Sequence, residues 1–63
     1  MYEVRWTTIL GNDYCDSFDE ERRAWRRFEE VKKSSRECDD LDSVGIYFVD
    51  GDGNEKELGV WSR

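Results

Sequence analysis

Residues 17–34, SFDEERRAWRRFEEVKKS, read as a single amphipathic helix, and the segments on either side read as β-hairpins. Projected at 3.6 residues per turn, Ala24, Phe28 and Val31 fall on one line with Trp25 at its edge, an apolar stripe of the kind that packs on a sheet. Two readings of the start stand: Ser17 with Glu20 matches an S-x-x-E capping box, whereas Asp19 as N-cap leaves Phe18 as the last residue of a preceding strand. Glu20 and Glu21 at the beginning and Lys32 and Lys33 near the end complement the helix dipole, each contributing roughly a few tenths of a kcal/mol.

Outward from the helix, residues 44–49, VGIYFV, form the clearest strand, with Val44, Ile46 and Phe48 on one face and Tyr47 and Val49 on the other. Residues 55–61 answer it, with Leu58 and Val60 expected inward and Trp61 outward. The connector Gly51-Asp52-Gly53-Asn54 holds residues that tolerate positive φ, so the pair reads as a hairpin. On the N-terminal side, residues 2–10 alternate as a half-buried strand, with Tyr2, Val4, Trp6, Thr8 and Leu10 pointing one way. Gly11-Asn12-Asp13 is turn chemistry, and residues 13–18 are a short second strand or an extended lead into the helix. Residues 35–43 carry Glu37, Asp39, Asp40 and Asp42 and read as an acidic connecting loop.

The expected fold is α+β, a single domain over residues 1–63: a small antiparallel sheet, ββαββ or βαββ, with one helix across one face. Its expected core is Val4, Trp6, Phe18, Ala24, Trp25, Phe28, Val31, Val44, Ile46, Phe48, Leu58 and Val60. A chain of 63 residues buries only about 60% of its unfolded surface, so a partner or a second copy is a reasonable source of extra stability.

One helix covers one side of a sheet. The far face is expected to carry Ile9, Tyr47, Val49 and Trp61 with Arg5 nearby, and aromatic residues with arginine are the types enriched at binding hot spots. The same groups also make ordinary cross-strand pairs on a solvated face.

The chain has formal net charge −6, and its acids fill the turns and loops. If Glu37, Asp39, Asp40, Asp42, Asp50 and Asp52 gather on one surface, their spacing imitates a nucleic-acid phosphate track and fits the cationic site of a nucleic-acid-binding protein; alternatively the acids only keep a small acidic domain in solution. Against this background Arg22, Arg23, Arg26 and Arg27 form a basic patch on the exposed side of the helix. The patch suits a phosphate or an acidic surface; alternatively it is a solvated face laced by pairs such as Arg22 with Glu29 and Arg26 with Glu30.

Enzyme chemistry is poorly served. There is no histidine, which removes His-based acid–base work and the Ser-His and Cys-His dyads. Cys15 and Cys38 lack metal-ligand spacing, and they read as two reduced thiols unless a secreted form bridges them. DGDGNE over 50–55 fails as a calcium loop: its sixth position is Glu55 and its twelfth Trp61, where Gly and a bidentate Glu are needed. No cofactor, metal or membrane is expected. No stretch approaches the ~20 apolar residues of a membrane span and no basic-then-apolar leader is present, so the expected address is cytoplasmic.

The functional expectation is a non-enzymatic intracellular protein-binding module, a small acidic inhibitor of the phage or mobile-element type, occupying a basic or nucleic-acid-binding surface of a partner protein. A structural homodimer built on the uncovered sheet face is the alternative. Nucleic-acid contact through the helix arginines is a third reading, opposed by the overall negative charge.

Overall fold

The computed structural model describes residues 1–38 and 40–62. The chain runs β1 (Tyr2–Thr8), β2 (Asp13–Phe18), α1 (Glu21–Cys38), β3 (Leu41–Val49) and β4 (Glu55–Ser62). The strands form one antiparallel sheet in the order β2-β1-β3-β4, so the fold is ββαββ and residues 13–18 are a true strand.

Both hairpins are built on the same loop. The Thr8 N–H donates to the Asn12 carbonyl and the Gly11 N–H to the Thr8 carbonyl, each at 3.0 Å. Asp50, Gly53 and Asn54 repeat the pattern at 3.0 and 3.1 Å. Gly11 and Gly53 sit at φ +87° and +86°, the left-handed position that closes a three-residue hairpin loop and that side-chain-bearing residues resist. The first loop is therefore Ile9-Leu10-Gly11, earlier than expected, and Leu10 lies in the loop, 75% exposed, rather than on the inward face of a strand.

α1 starts and ends four residues later than residues 17–34. Phe18 pairs with Tyr2 as the last residue of β2, as the second reading expected and against a cap at Ser17, but the cap of the helix falls at Glu20, one residue beyond Asp19. Its first turn closes from the Ala24 N–H to the Glu20 carbonyl. At the other end, residues 34–38 hold no Gly or Pro, and the helix runs on to Cys38 through the first part of the expected acidic loop. β3 takes up residues 41–43 of that loop by starting at Leu41. A bulge between Thr7 and Thr8 pairs Thr8 with Leu41 and leaves Asp42 exposed, which turns Leu41 into the core.

The apolar stripe of the helix packs as its spacing dictates. Ala24, Phe28 and Val31 are buried with Val4, Leu41, Val44 and Ile46, and Tyr2, Trp6, Phe18, Trp25, Leu58 and Trp61 pack around them. Trp25 meets Phe28 edge to face at 5.3 Å and lies over Gly59, where a Cβ would stand 2.9 Å from the indole. Phe48 is half-buried at the end of the sheet, its ring 5.1 Å from that of Tyr2.

β4 departs from simple alternation. A second bulge leaves Leu58 unpaired between Gly59, opposite Ile46, and Glu57, opposite Tyr47. Leu58 and Gly59 thus both face the helix, and every residue beyond them changes sides. Trp61 pairs with Val44 and packs on the core, whereas Val60 is 57% exposed, the reverse of the expected orientation of both. Among the described residues no helix is long and apolar enough to cross a membrane.

Candidate functional site

The Cα positions span only 15 Å in the thinnest direction, the depth of one helix on one sheet, so the far side of the sheet has no covering layer among the described residues. Cross-strand pairing sets out that open face in rows. Cys15, Arg5, Gly45 and Val60 lie side by side across the middle. Ser17, Glu3, Tyr47 and Glu57 form the row on one side, and Asp13, Thr7, Ser43 and Ser62 the row on the other. Val49 and Glu55 pair beyond Tyr47.

A shallow groove of about 380 Å³ runs over the middle of this face, lined among others by Arg5, Thr7, Cys15, Gly45, Tyr47 and Val60. Its floor is low because its residues are small. Thr7 and Ser43 spend their polarity on each other, hydroxyl to hydroxyl at 3.0 Å. Gly45 has the Tyr47 ring lying across it, with the hydroxyl 2.6 Å from where a Cβ would stand.

Arg5 locks that ring. Its guanidinium sits 4.8 Å from the Tyr47 centroid, donates from Nε to Glu3 at 2.9 Å and from Nη1 to Glu55 at 3.1 Å, and so ties β1 to β4 across β3. Hydrogen bonds to Glu55 and then Glu3 raise the Arg5 pKa further above its already high value, and the Arg5 bond holds the Glu55 carboxyl below the usual range. Arg5 is therefore an internal strut with both faces of its charge committed, and Tyr47 is the aromatic group presented outward.

Electrostatically the face is acidic. It carries Glu3, Asp13, Glu55 and Glu57 against Arg5, a net −3. The helix is the opposite: residues 21–38 hold seven basic and four acidic side chains, a net +3, which leaves −9 for the rest of a chain whose total is −6. Charge is thus segregated by layer.

Of the acids that would have to gather on one surface to imitate a phosphate track, the described ones are divided between two ends of the sheet. Asp40, whose carbonyl accepts the Ile9 N–H at 2.8 Å, and Asp42 lie at the end that holds the first hairpin loop. Asp50 and Asp52 lie in the other hairpin loop, at the far end of the nine-residue β3, about 26 Å away at 3.3 Å per residue. The side chain of Glu37 and all of Asp39 lie outside the described residues. Asp50 works inside its loop: Oδ1 accepts the Asp52 and Asn54 N–H groups, each at 2.9 Å, which lowers its pKa, the Asn54 bond contributing most. Among the described residues no cluster of three or more acids or cysteines is set to hold a metal ion.

Of the residues expected to meet a partner, Arg5, Tyr47 and Val49 share the open face. Trp61 is on the helix side, and Ile9 is at the loop tip, 53% exposed. Glu3 joins them there, as the alternation of the first strand implies, and Cys15, Gly45 and Val60 also belong to the face, beyond the sequence expectation. The alternation of 3, 5 and 7 with 43, 45 and 47 carries the signal for most of them, and the bulge conceals Val60.

The helix arginines also pair differently from the expected pattern. Arg22 and Arg23 reach Glu20 at 3.1 and 3.6 Å, and Arg27 is half-buried, bonded to Asp16 at 2.9 Å and Glu30 at 3.3 Å.

Cys15 is a free thiol on this face. Its Sγ donates to Glu3 Oε1 at 3.6 Å, and desolvation, followed by the Glu3 charge, pushes its pKa up. Thiolate is the reactive form, so exposure does not make this thiol reactive. In a Cys38→Ser background, iodoacetamide is expected to alkylate Cys15 more slowly than glutathione at neutral pH, with Glu3→Gln restoring part of the rate. A rate equal to that of glutathione would contradict the assignment.

No family model, curated protein or solved structure matches this chain.

Proposed function

We propose that the chain is a non-enzymatic protein-binding module whose open sheet face docks on a basic surface or basic segment of a partner protein. The observation that carries this reading is the groove over Gly45, in which Arg5 pins Tyr47 within a field of net −3 on a face that nothing in the described chain covers. A rigid aromatic ring loses little side-chain entropy on binding, which is why such rings serve as anchors. The surrounding carboxylates steer encounter with a cationic partner and penalise an acidic one.

Such a module acts by occupancy, inhibiting whatever the partner's basic surface would otherwise contact. Affinity capture from host lysate tests this with three baits: the native chain, Tyr47→Ala, and Arg22→Glu/Arg26→Glu. A basic protein held by the native and helix-variant baits, lost with Tyr47→Ala and released by salt supports the reading. Capture that survives Tyr47→Ala, or that does not respond to salt, would sink it.

A further inference from the structure

We infer that the flank between α1 and β2, on the helix side of the sheet, binds single-stranded nucleic acid; its Tyr14 end also borders the open-face groove. Arg22, Arg23 and Arg26 line one surface cleft and Phe18, Arg23, Arg26, Arg27 and Glu30 line a second. The two share Arg23 and Arg26 as lining residues and are therefore adjacent. Arg22 and Arg23 engage Glu20 only through Nε, which leaves their Nη donors to solvent, and Arg26 has no ion partner among the described residues. Guanidinium forks of this kind suit phosphate oxygens.

Rings accompany the charges. Phe18, Asp16 and Tyr14 occupy alternate positions of β2 and so point to the helix side, where they pair with Tyr2, Val4 and Trp6. Tyr14 is stacked on Trp6, centroids 5.6 Å apart and planes 19° apart, and remains 48% exposed. Arg27 covers Trp6 at 5.1 Å and neutralises Asp16, the one carboxylate between the two β2 rings. Phe18 and Tyr14 are four residues apart on an extended strand, about 13 Å. The flank therefore offers a phosphate-binding row on the helix beside two rings on the strand, the combination that holds single strands by backbone charge and base stacking. An acidic peptide would use the arginines but has no need of the rings. The net negative charge of the rest of the chain is screened beyond about 8 Å at physiological salt, and the helix layer itself is net +3.

Fluorescence anisotropy with a labelled oligothymidylate of twelve nucleotides tests the assignment in low salt, with polyglutamate of equal charge as competitor. Saturable binding is expected. Arg23→Ala/Arg26→Ala should weaken it tenfold or more and flatten its salt dependence, by a slope of about 0.7 for each phosphate no longer neutralised. Tyr14→Ala should weaken it about fivefold or more, the value of one stacked base. Tyr47→Ala should leave it unchanged, which separates this site from the open face. All of these positions are on the surface, and circular dichroism checks that each variant folds. No binding, indifference to the arginine or Tyr14 variants, or equal competition by polyglutamate would overturn the inference.

Discussion

Phe28→Ala is expected to cost about 3–5 kcal/mol, the range for removing a buried aromatic ring. The ring is 4% exposed, lies at the centre of the helix stripe, and holds Trp25 edge to face above Gly59. Its removal opens a cavity under the helix and also frees the indole that closes the sheet over β4. A domain of this size has a total stability of roughly 3–9 kcal/mol at 0.05–0.15 kcal/mol per residue. The variant should therefore lose more than about 12 °C of melting temperature, or fail to melt cooperatively at all. Phe28→Leu, which keeps most of the volume, should retain a cooperative transition. A Phe28→Ala melting curve within a few degrees of the native one would mean that the helix does not pack on the sheet through this stripe.

The second large effect separates two neighbouring residues. Trp61→Ala is expected to cost about 2 kcal/mol, less than a fully buried Trp because the ring is only half-buried where it packs on the core, whereas Val60→Thr should stay within about 0.5 kcal/mol because its side chain is in solvent. Strict alternation from Leu58 reverses both expectations: Val60 would be the buried residue, where an added hydroxyl is costly, and Trp61 the neutral one. Urea denaturation of the two variants thus reads the bulge at Leu58 directly. A costly Val60→Thr with a silent Trp61→Ala would place the register of β4 one residue away from the structure.

What can be read in the residues, and what cannot, follows from the range of each signal. The helix stripe of Ala24, Phe28 and Val31 is a local periodicity of three to four residues, and it packs on the sheet as that periodicity implies. The second hairpin announces itself through Gly53-Asn54. Leu10-Gly11-Asn12 spells the same loop, with the glycine in the same left-handed position, so the first hairpin is equally legible once the two are compared. Side-chain direction in β4 is not legible, because a bulge depends on the partner strand. The nearest trace of it is Gly59, which must lack a side chain for Trp25 to lie over it.

The site is legible to the same degree. Tyr47, Val49 and Arg5 follow from alternation alone, and they share the open face. That Arg5 is tied to Glu3 and Glu55, and so braces Tyr47 instead of meeting a partner itself, depends on contacts across three strands. The acids at the loops are visible in composition, which does not report distance. The strand length sets Asp40 and Asp42 apart from Asp50 and Asp52, and the acids that do share a face, Glu3, Asp13, Glu55 and Glu57, are brought together by register.

The most direct test of the open face as the docking surface is an amide chemical-shift titration of the isotope-labelled chain with a short lysine- and arginine-rich peptide. Salt-sensitive shifts are expected to concentrate at Arg5, Thr7, Cys15, Gly45, Tyr47 and Val60, with the amides of α1 undisturbed. Shifts confined to the α1–β3 connection around Asp40 and the hairpin loop around Asp50, or to the helix, would contradict it.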